Sequence, residues 1–324
     1  MAELVERVVL PSLGGRAQCA GRLTDAAVLR FPGGRLAFTT DSYVVQPLEF
    51  PGGDIGKLAV CGTINDLAVV GAVPAALSLA LVLEEGLEIS LLRRVLESAG
   101  AAAARAGVEV VTGDTKVVER GGLAGMVINT SGVGVLLETA RLGFDRVRGG
   151  DKVLLSGPLG EHGLAVMSRR KGLSFAAELE SDCAAICGLT RALVERLGPA
   201  VRWMRDPTRG GLAATLAELA AGAGMDLEID EAEIPENRAA RAAAEMLGLD
   251  LLTVANEGKL LAVVADESAG EARRMLADQP IARRAAINGE VRGAAENPLV
   301  ELVTRVGGRR VVQMPYGEEL PRIC

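Results

Sequence analysis

Aromatic side chains are almost missing from this sequence: one Trp, two Tyr and five Phe in 324 residues. A core built without them must be aliphatic. Ala, Val, Leu and Gly dominate, which favours packed aliphatic layers joined by many tight turns. Histidine occurs once, as His162, and cysteine five times. An odd and sparse set of cysteines does not make a disulfide framework. Cys183 and Cys187, four apart and expected on one helix face, cannot complete a zinc site with His162 at any usual spacing, and are read as buried thiols. No apolar run reaches about 18 residues. No basic segment followed by an apolar stretch opens the chain, so a cytoplasmic location is expected. An excess of positive charge is lacking too: the net charge is −7, which argues against a nucleic-acid groove or an anionic membrane surface and suits a protein that holds metal cations. Neither a Gly-x-x-x-x-Gly-Lys-Ser/Thr loop nor a Gly-x-Gly-x-x-Gly after a strand is found, so the P-loop and Rossmann readings lack their fingerprints.

The length suffices for two domains with a sizeable core. Residues 3–10 have helical spacing, ended by Pro11 and Gly14-Gly15. A short strand follows Asp25. A second, residues 35–40, places Leu36, Phe38 and Thr40 on one face and is closed by Asp41. Asp54, after Pro51-Gly52-Gly53, N-caps a helix running through Lys57, Cys61 and Asp66 towards Gly71. Residues 75–83 read as a buried strand, and Ser90 as the cap of an alanine-rich helix to Ala106. A strand over 108–111 breaks into Thr112-Gly113-Asp114-Thr115-Lys116, and another spans 126–137. The polar turn Arg148-Gly149-Gly150-Asp151 opens a new set of elements, which divides the chain into domains 1–147 and 148–312, with a flexible tail 313–324. In the second domain the pattern predicts strand 152–156, a helix opening near His162, an amphipathic helix over 182–197 and the helix 212–222 behind Asp206-Pro207-Thr208-Arg209-Gly210-Gly211. Strands over 251–255 and 260–264 flank Asn256-Glu257-Gly258-Lys259. A helix from Ser268 to Ala277 leads to the last strands.

Four aspartates stand in related contexts: Asp25 before a strand, Asp41 and Asp114 at strand ends, Asp66 on a helix beside Asn65. Carboxylates gathered at strand ends repel one another unless cations intervene, and Mg²⁺ prefers few carboxylates plus phosphate oxygens. The tail, with Pro315 and Gly317, suits neither helix nor central strand and ends in Cys324. A prenylation box needs its cysteine four from the end, so a terminal cysteine does not fit one. The alternative is a carrier arm: a mobile end whose thiol holds a covalently attached group.

The runs Thr39-Thr40-Asp41-Ser42, Phe50 through Leu67 (with Pro51-Gly52-Gly53-Asp54 and Gly62-Thr63-Ile64-Asn65-Asp66), Gly113-Asp114-Thr115-Lys116-Val117-Val118, Arg205-Asp206-Pro207-Thr208-Arg209-Gly210-Gly211-Leu212, Ala255-Asn256-Glu257-Gly258-Lys259 and the Pro321-Arg322-Ile323-Cys324 end resemble the HypE family. That family, the carbamoyl dehydratases of [NiFe]-hydrogenase maturation, belongs to the PurM-like (AIR synthetase) superfamily of ATP users. The resemblance runs in order along nearly the whole chain. It implies an α+β fold: an N-terminal domain whose strands join a partner's in a dimeric β-barrel with outer helices, and a C-terminal α/β layered domain. It also implies a glycine-rich His-Gly-x-Gly-Gly segment, part of the nucleotide region in relatives, whose place would be before Met1.

For the site, the resemblance implies ATP and Mg²⁺ as cofactors, with metals and nucleotide held by Asp25, Asp41, Asp66 and Asp114, and with Lys116 on the phosphate or the amide. Glu257 is the candidate base for the amide proton, with Lys116 as the competing choice. The Asp206–Gly211 turn is read as an anion site on the phosphate or tail side. Cys324 is the carrier: HypF delivers a carbamoyl group, ATP phosphorylates its oxygen, and loss of phosphate and a proton leaves a thiocyanate for transfer to iron on a HypC–HypD complex. The rival readings are a PurM-type synthetase or small-molecule kinase acting on a free substrate, and a non-catalytic scaffold in metallocentre assembly.

Overall fold

A computed structural model describes residues 26–31, 34–172 and 179–315. The helix expected over 3–10, Asp25, and residues 316–324 with Cys324 lie outside the described residues.

The first half is a five-stranded sheet of β1 (Ala27–Phe31), β2 (Gly34–Tyr43), β5 (Ala72–Glu84), β6 (Glu109–Val118) and β7 (Met126–Leu136), in the order β1-β2-β7-β5-β6. A small ribbon of β3 (Glu49–Phe50) and β4 (Gly53–Asp54) leads into helix α1 (Ile55–Val69). Helix α2 (Ile89–Ala106) connects β5 to β6. Helix α1 starts where expected because the Asp54 carboxylate accepts from Gly56 N (2.8 Å) and Lys57 N (3.0 Å), two donors without an intrahelical partner. Both helices cover one face of the sheet, where Leu77, Leu81, Met126 and Ile128 meet Ile55, Leu58, Val95 and Ala99. Strand β7 alternates cleanly between that buried face and an open one.

The open face settles which side of β2 is which. Leu36, Phe38 and Thr40 do share a face, but it is the open one, with Phe38 46 % and Val135 52 % exposed; Ala37 and Thr39 are the buried residues. Other boundaries shift for traceable reasons. Strand β2 continues past Asp41 to Tyr43, held in register with β7 as far as Ile128. Ser90 lies inside α2, behind the actual cap position Glu88, and its hydroxyl donates to that carboxylate (3.2 Å). Strand β6 does not break at Thr112-Gly113: it pairs in parallel with β5 through to Val118. Gly113 is a glycine of close approach, not of a turn, since a Cβ there would stand 2.1 Å from the Leu79 carbonyl oxygen.

The second half is a seven-stranded sheet of β8 (Lys152–Leu155), β9 (Val201–Arg205), β10 (Met225–Asp230), β11 (Leu261–Val264), β12 (Ala286–Ala294), β13 (Val300–Val303) and β14 (Arg309–Val312), in the order β14-β13-β10-β12-β8-β11-β9. Its helices are α3 (Glu161–Lys171), α4 (Cys187–Leu197), α5 (Gly211–Ala223), α6 (Arg238–Leu247) and α7 (Asp266–Ala277). They enclose two aliphatic layers, one under α5 and one under α4 and α7. The chain crosses between the sheets over 137–151, and Phe144 and Val147 are already packed into the second core. Residues 251–255 form a 3₁₀ turn, Leu251–Thr253, in place of the expected strand. Helix α4 starts at Cys187, five residues later than the pattern suggests, because the backbone of 182–186 is committed to the junction between the halves, as described below. No helix among the described residues is long and apolar enough to cross a membrane.

Gly113 offers a direct test of the β5–β6 pairing. Gly113→Val is expected to cost about 1–3 kcal/mol through overpacking, read as a lowered urea midpoint. Gly100→Ala, at a helical position with open space around the new Cβ, is expected to raise stability by about 0.5–1 kcal/mol.

Candidate functional site

The two halves meet along a seam lined with polar groups. From the first half, the helix-facing side of β2 presents Thr39, Asp41 and Tyr43 at successive alternate positions. Thr39 Oγ1 donates to Asp66 Oδ2 of α1 (2.9 Å). One residue earlier on α1, Asn65 is fully buried and reaches across the seam. Its Nδ2 donates to the carbonyls of Ala184 (3.1 Å) and Glu257 (3.3 Å), and its Oδ1 accepts from Ile186 N (2.9 Å). This is why residues 182–186 do not join α4.

From the second half comes the turn 256–259. Asn256 Oδ1 accepts from Gly160 N (2.7 Å), and its Nδ2 donates to the carbonyls of Pro207 (3.1 Å) and Val254 (3.0 Å). The Asp182 carboxylate accepts from Glu257 N (3.2 Å) and Gly258 N (3.2 Å). It also accepts from Lys259 Nζ (2.9 Å), which bonds Glu161 Oε2 as well (2.9 Å). A Cβ at Gly258 would stand 1.9 Å from the Asp182 carbonyl oxygen, so only glycine permits this approach. Burial opposes the Asp182 charge, but Lys259 and His162 more than offset it, and the carboxyl sits below its usual range. His162 itself is buried, Nδ1 2.8 Å from Ser181 Oγ, with its ring edge-on to Phe50 at 5.3 Å.

Within this satisfied frame the Glu257 carboxyl stands out. It is 2 % exposed, and its Oε1 has no hydrogen-bond partner. Burial, then the neighbouring Asp206, Asp182 and Asp41, push its pKa well above the usual carboxylate range. Asp206 is likewise buried and pushed up to about 6, by burial first and, more weakly, by Asp41, against the pull of Arg205. Burial together with Asp41 and Asp66 also keeps the Tyr43 phenol protonated. Asp41 and Asp206 thus bear on Glu257, and Asp41, Asp66 and Glu257 on Tyr43, so these carboxyls are grouped at the seam. Close carboxyls in a low dielectric either keep protons or attract cations. Among the described residues no three His, Cys, Asp or Glu side chains form a ready-made metal cage. An open set of hard oxygen donors fits Mg²⁺, which binds through one or two carboxylates and completes its shell with water and phosphate.

A cavity of about 480 Å³ opens between the two halves, lined by Ala26, Arg35, Val69, Arg141, Phe144, Trp203 and Arg205 among others; none of the clustered carboxyls lines it. It is of small-molecule size, its aromatic wall is the Phe144–Trp203 pair at 5.8 Å, and Arg205 leads directly into Asp206. The turn 206–211 is a close-packed joint. Gly210 and Gly211 have positive φ, and a Cβ on Gly211 would stand 2.5 Å from the Leu252 carbonyl oxygen. Pro315, the last described residue, rests against Gly210, so the tail leaves the second half beside this turn.

Of the residues named from sequence, Asp41, Asp66 and Glu257 come together. Asp114 and Lys116 do not join them within one chain. They lie on the exposed strand β6, three strands from β2, roughly 14 Å away. Asp114 shares a row with Ala80, Asn129 and Ser42 on the open face, opposite to Asp41. Asp25 and Cys324 lie outside the described residues. Cys183 precedes α4 and does not share a helix face with Cys187, which is half-buried; the Cys183 thiol is instead hydrogen-bonded to Cys61 of α1 across the seam. Sequence reasoning gave Tyr43 and Asp182 no role; neither belongs to a motif with a chemical signature, though Tyr43 is one of only two tyrosines.

Two family models match the chain: AIR synthase related protein, N-terminal domain, over residues 23–136, and the C-terminal domain of the same family over 148–299. The carbamoyl dehydratase HypE of Rhizobium leguminosarum bv. viciae is 48% identical over 324 residues, which is 100% of this chain and 92% of the relative. Among solved structures, a HypE–HypF complex aligns with a TM-score of 0.90 at 41% identity, covering 96% of this chain and 99% of that one. A HypE in complex with ATP aligns with a TM-score of 0.86 at 43% identity, covering 100% and 96%.

The Asp206 shift has a sign that can be checked. Its folded-state pKa of about 6 lies above the unfolded value near 3.9, so the fold favours the protonated acid. That contribution is fully present below about pH 4 and is lost as pH rises through about 6. Without divalent cations, Asp206→Asn is expected to gain on the native protein by about 2–3 kcal/mol between pH 4 and pH 7, seen as diverging thermal midpoints. Added Mg²⁺ is expected to narrow the gap.

Proposed function

The chain belongs to the HypE family of carbamoyl dehydratases, and from that premise we propose that it uses ATP to dehydrate a carbamoyl group carried on Cys324 to a thiocyanate, for the cyanide ligands of the [NiFe]-hydrogenase iron. The observation that carries the reading is the Glu257 carboxyl, buried with an unpartnered Oε1 where Asp41, Asp182 and Asp206 bear on it.

An amide does not release its oxygen unaided, because hydroxide is a poor leaving group. Phosphorylation of that oxygen by ATP supplies a better one. The S–C(=O)–NH₂ group and ATP then give S–C≡N, ADP, phosphate and a proton. Arg35, Arg141 and Arg205 give the cavity the positive charge that a nucleotide requires, and Phe144 and Trp203 give it apolar wall for a base. Asp41, Asp66 and Asp206 are the residues to hold Mg²⁺, which when bound neutralises charge on the transferring phosphoryl group. Glu257 takes the N–H proton. Its raised pKa makes it a stronger base once ionised, and Asn65 and Asp182 fix its backbone. Nine residues follow Pro315, a reach of at most roughly 30 Å when extended, enough for Cys324 to span from Gly210 to the cluster. HypF as carbamoyl donor, supported by the complex of its relative, and a HypC–HypD complex as cyanide acceptor complete the reading.

Asp114 and Lys116 enter through a homodimer. A second copy set against the open face of the first sheet presents its own β6 to its neighbour, so that each site takes Asp41, Asp66 and Glu257 from one protomer and Asp114 and Lys116 from the other. The exposed Phe38 and Val135 support that face as the one covered.

Intact-mass spectrometry tests the chemistry. Protein carbamoylated on Cys324 is expected to lose the mass of one water on adding ATP, and Glu257→Gln to retain the adduct. Turnover of a free substrate by Cys324→Ala would sink the reading in favour of a kinase or synthetase. Mixing inactive Glu257→Gln with inactive Lys116→Ala is expected to restore about a quarter of the sites by random pairing. No restoration would place Lys116 and Glu257 in the same protomer's site.

A further inference from the structure

Three successive residues of the turn 257–259 donate to one carboxylate. Glu257 N reaches Asp182 Oδ1 and Gly258 N reaches Asp182 Oδ2, both at 3.2 Å, and Lys259 Nζ reaches Oδ2 at 2.9 Å. The reading above uses Asp182 to fix the backbone of Glu257 and gives Lys259 no part. We propose that Lys259 is a positioning residue for Glu257, acting through Asp182: its buried ammonium group keeps that carboxylate a double acceptor, and the carboxylate holds the main chain that carries the base. This rests on the dehydratase reading and adds to it the cation on which the placement of the base depends.

Every link is a direct contact. The Asp182 side chain is 3 % exposed and that of Lys259 5 %, so solvent supports neither charge. An isolated carboxylate at that depth takes up a proton. Protonated, Asp182 would turn an O–H donor towards N–H donors and could not hold both amides. Lys259 prevents this. Burial opposes its own charge, but Asp182 and Glu161 hold it protonated. Its stem passes Gly157, where a Cβ would stand 3.3 Å from the Lys259 Cε. Beyond the lysine, Glu161 Oε2 accepts from Nζ at 2.9 Å, and Glu161 Oε1 accepts from Asn237 Nδ2 at 2.6 Å. Glu161 opens α3 and Asn237 caps α6, so the lysine is itself anchored to two helices. The same short segment grips the turn from its main chain: Ala184 N donates to the Glu257 carbonyl at 3.3 Å. At the end of this series of contacts, Glu257 Oε1 is left unpartnered.

Stability does not account for the arrangement, because apolar groups of similar volume often serve a core as well as a buried ion pair does. What the pair supplies is fixed geometry: donors from three consecutive residues converge on one acceptor and leave the turn little freedom. A general base works only within hydrogen-bond reach of the proton it takes, and a misplacement of about 1 Å costs about 10²-fold in rate. The groups whose charge bears on Glu257 are Asp206 before α5, Asp182 before α4, Asp41 on β2 and the Cys61 thiol of α1. Of these, Asp182 is the one bonded to the Glu257 main chain, and it is the one that Lys259 neutralises.

Three variants separate positioning from stability. Lys259→Met removes the cation. Asp182→Asn keeps the shape but puts an NH₂ group where one of the two acceptors stood. Glu161→Gln disturbs the same triad while leaving Lys259 on Asp182. Lys259→Met and Asp182→Asn are expected to accept the carbamoyl group on Cys324 and to bind ATP as the native protein does, while the single-turnover rate of water loss from the adduct falls by about 10²-fold. Glu161→Gln is expected to stay close to the native rate. In Asp182→Asn the acidic limb of the rate profile is expected to move to lower pH, because a charge that raises the Glu257 pKa has gone. A native rate in Lys259→Met or Asp182→Asn, an unmoved limb in Asp182→Asn, or an equal loss in Glu161→Gln would overturn the assignment and leave the dehydratase reading intact. If Lys259→Met does not fold, the contrast between Asp182→Asn and Glu161→Gln decides by the same criteria. If the native protein run alongside lost no water on adding ATP, the dehydratase reading itself would fall, and the role of Lys259 with it.

Discussion

The structure turns on keeping several carboxyl groups close together and out of water. Two unit charges of one sign at 6 Å repel by about 3 kcal/mol at an effective dielectric of about 20, and each also loses hydration. The chain meets this cost in two ways. Asp182 is neutralised permanently by Lys259, which is shared with Glu161. Glu257 has no such partner and its pKa is pushed well above the usual carboxylate range, while Asp206 is pushed up to about 6 against the pull of Arg205. The first arrangement makes a rigid frame, and the second makes a site whose charge state depends on what enters it. On the proposed reading, cationic charge near Asp41 would lower the cost of ionising Glu257. Cation binding and proton release are thereby linked.

The frame explains how so much polarity can be buried at a junction between two sheets. Asn65 reaches from α1 to backbone groups at 184, 186 and 257, and Asp182 accepts from the backbone of 257 and 258. Asn256 ties the same turn to Gly160 and Pro207. These bonds leave the main chain around Glu257 little freedom, and the contact of Gly258 with Asp182 excludes any side chain there. The Glu257 carboxyl is held on a rigid support while its Oε1 is left unpartnered, the arrangement that the proposed base requires.

How much of this was legible in the sequence depended on whether the cause was local. The Asp54 cap, the alternation of β7 and the alanine-rich helix behind Gly210-Gly211 are set by neighbouring residues, and each lies where the pattern places it. Gly113 misled because Thr-Gly-Asp-Thr has the composition of a turn, whereas the glycine answers to Leu79 on another strand. Residues 182–186 misled because their amphipathic spacing is helical while their backbone N–H groups bond Asn65, 121 residues from Ile186, and the Glu257 carbonyl, through Ala184. Asp41 and Asp66 were singled out from their strand-end and helix contexts, and Glu257 through the family resemblance. Asp182 carries no motif, and its hold on the backbone of 257 and 258 is visible only once the seam is built.

The faces of the first sheet bear on why such a fold assembles. Period-two alternation puts Asp41 and Tyr43 on the helix side of β2 and Ser42 on the other, and pairing across the sheet carries Ser42 through Asn129 and Ala80 to Asp114. A sheet cannot bring residues from its two faces to one point by bending. If Asp114 and Lys116 serve the same chemistry as Glu257, they must serve it for a different copy of the chain. The open face, with its hydroxyl row Thr40, Ser131, Ser78 and Thr112 and its exposed Phe38 and Val135, then has a reason to be uncovered in one chain. Catalysis on this view requires association, and the two active sites of a pair are each completed by the other's edge strand.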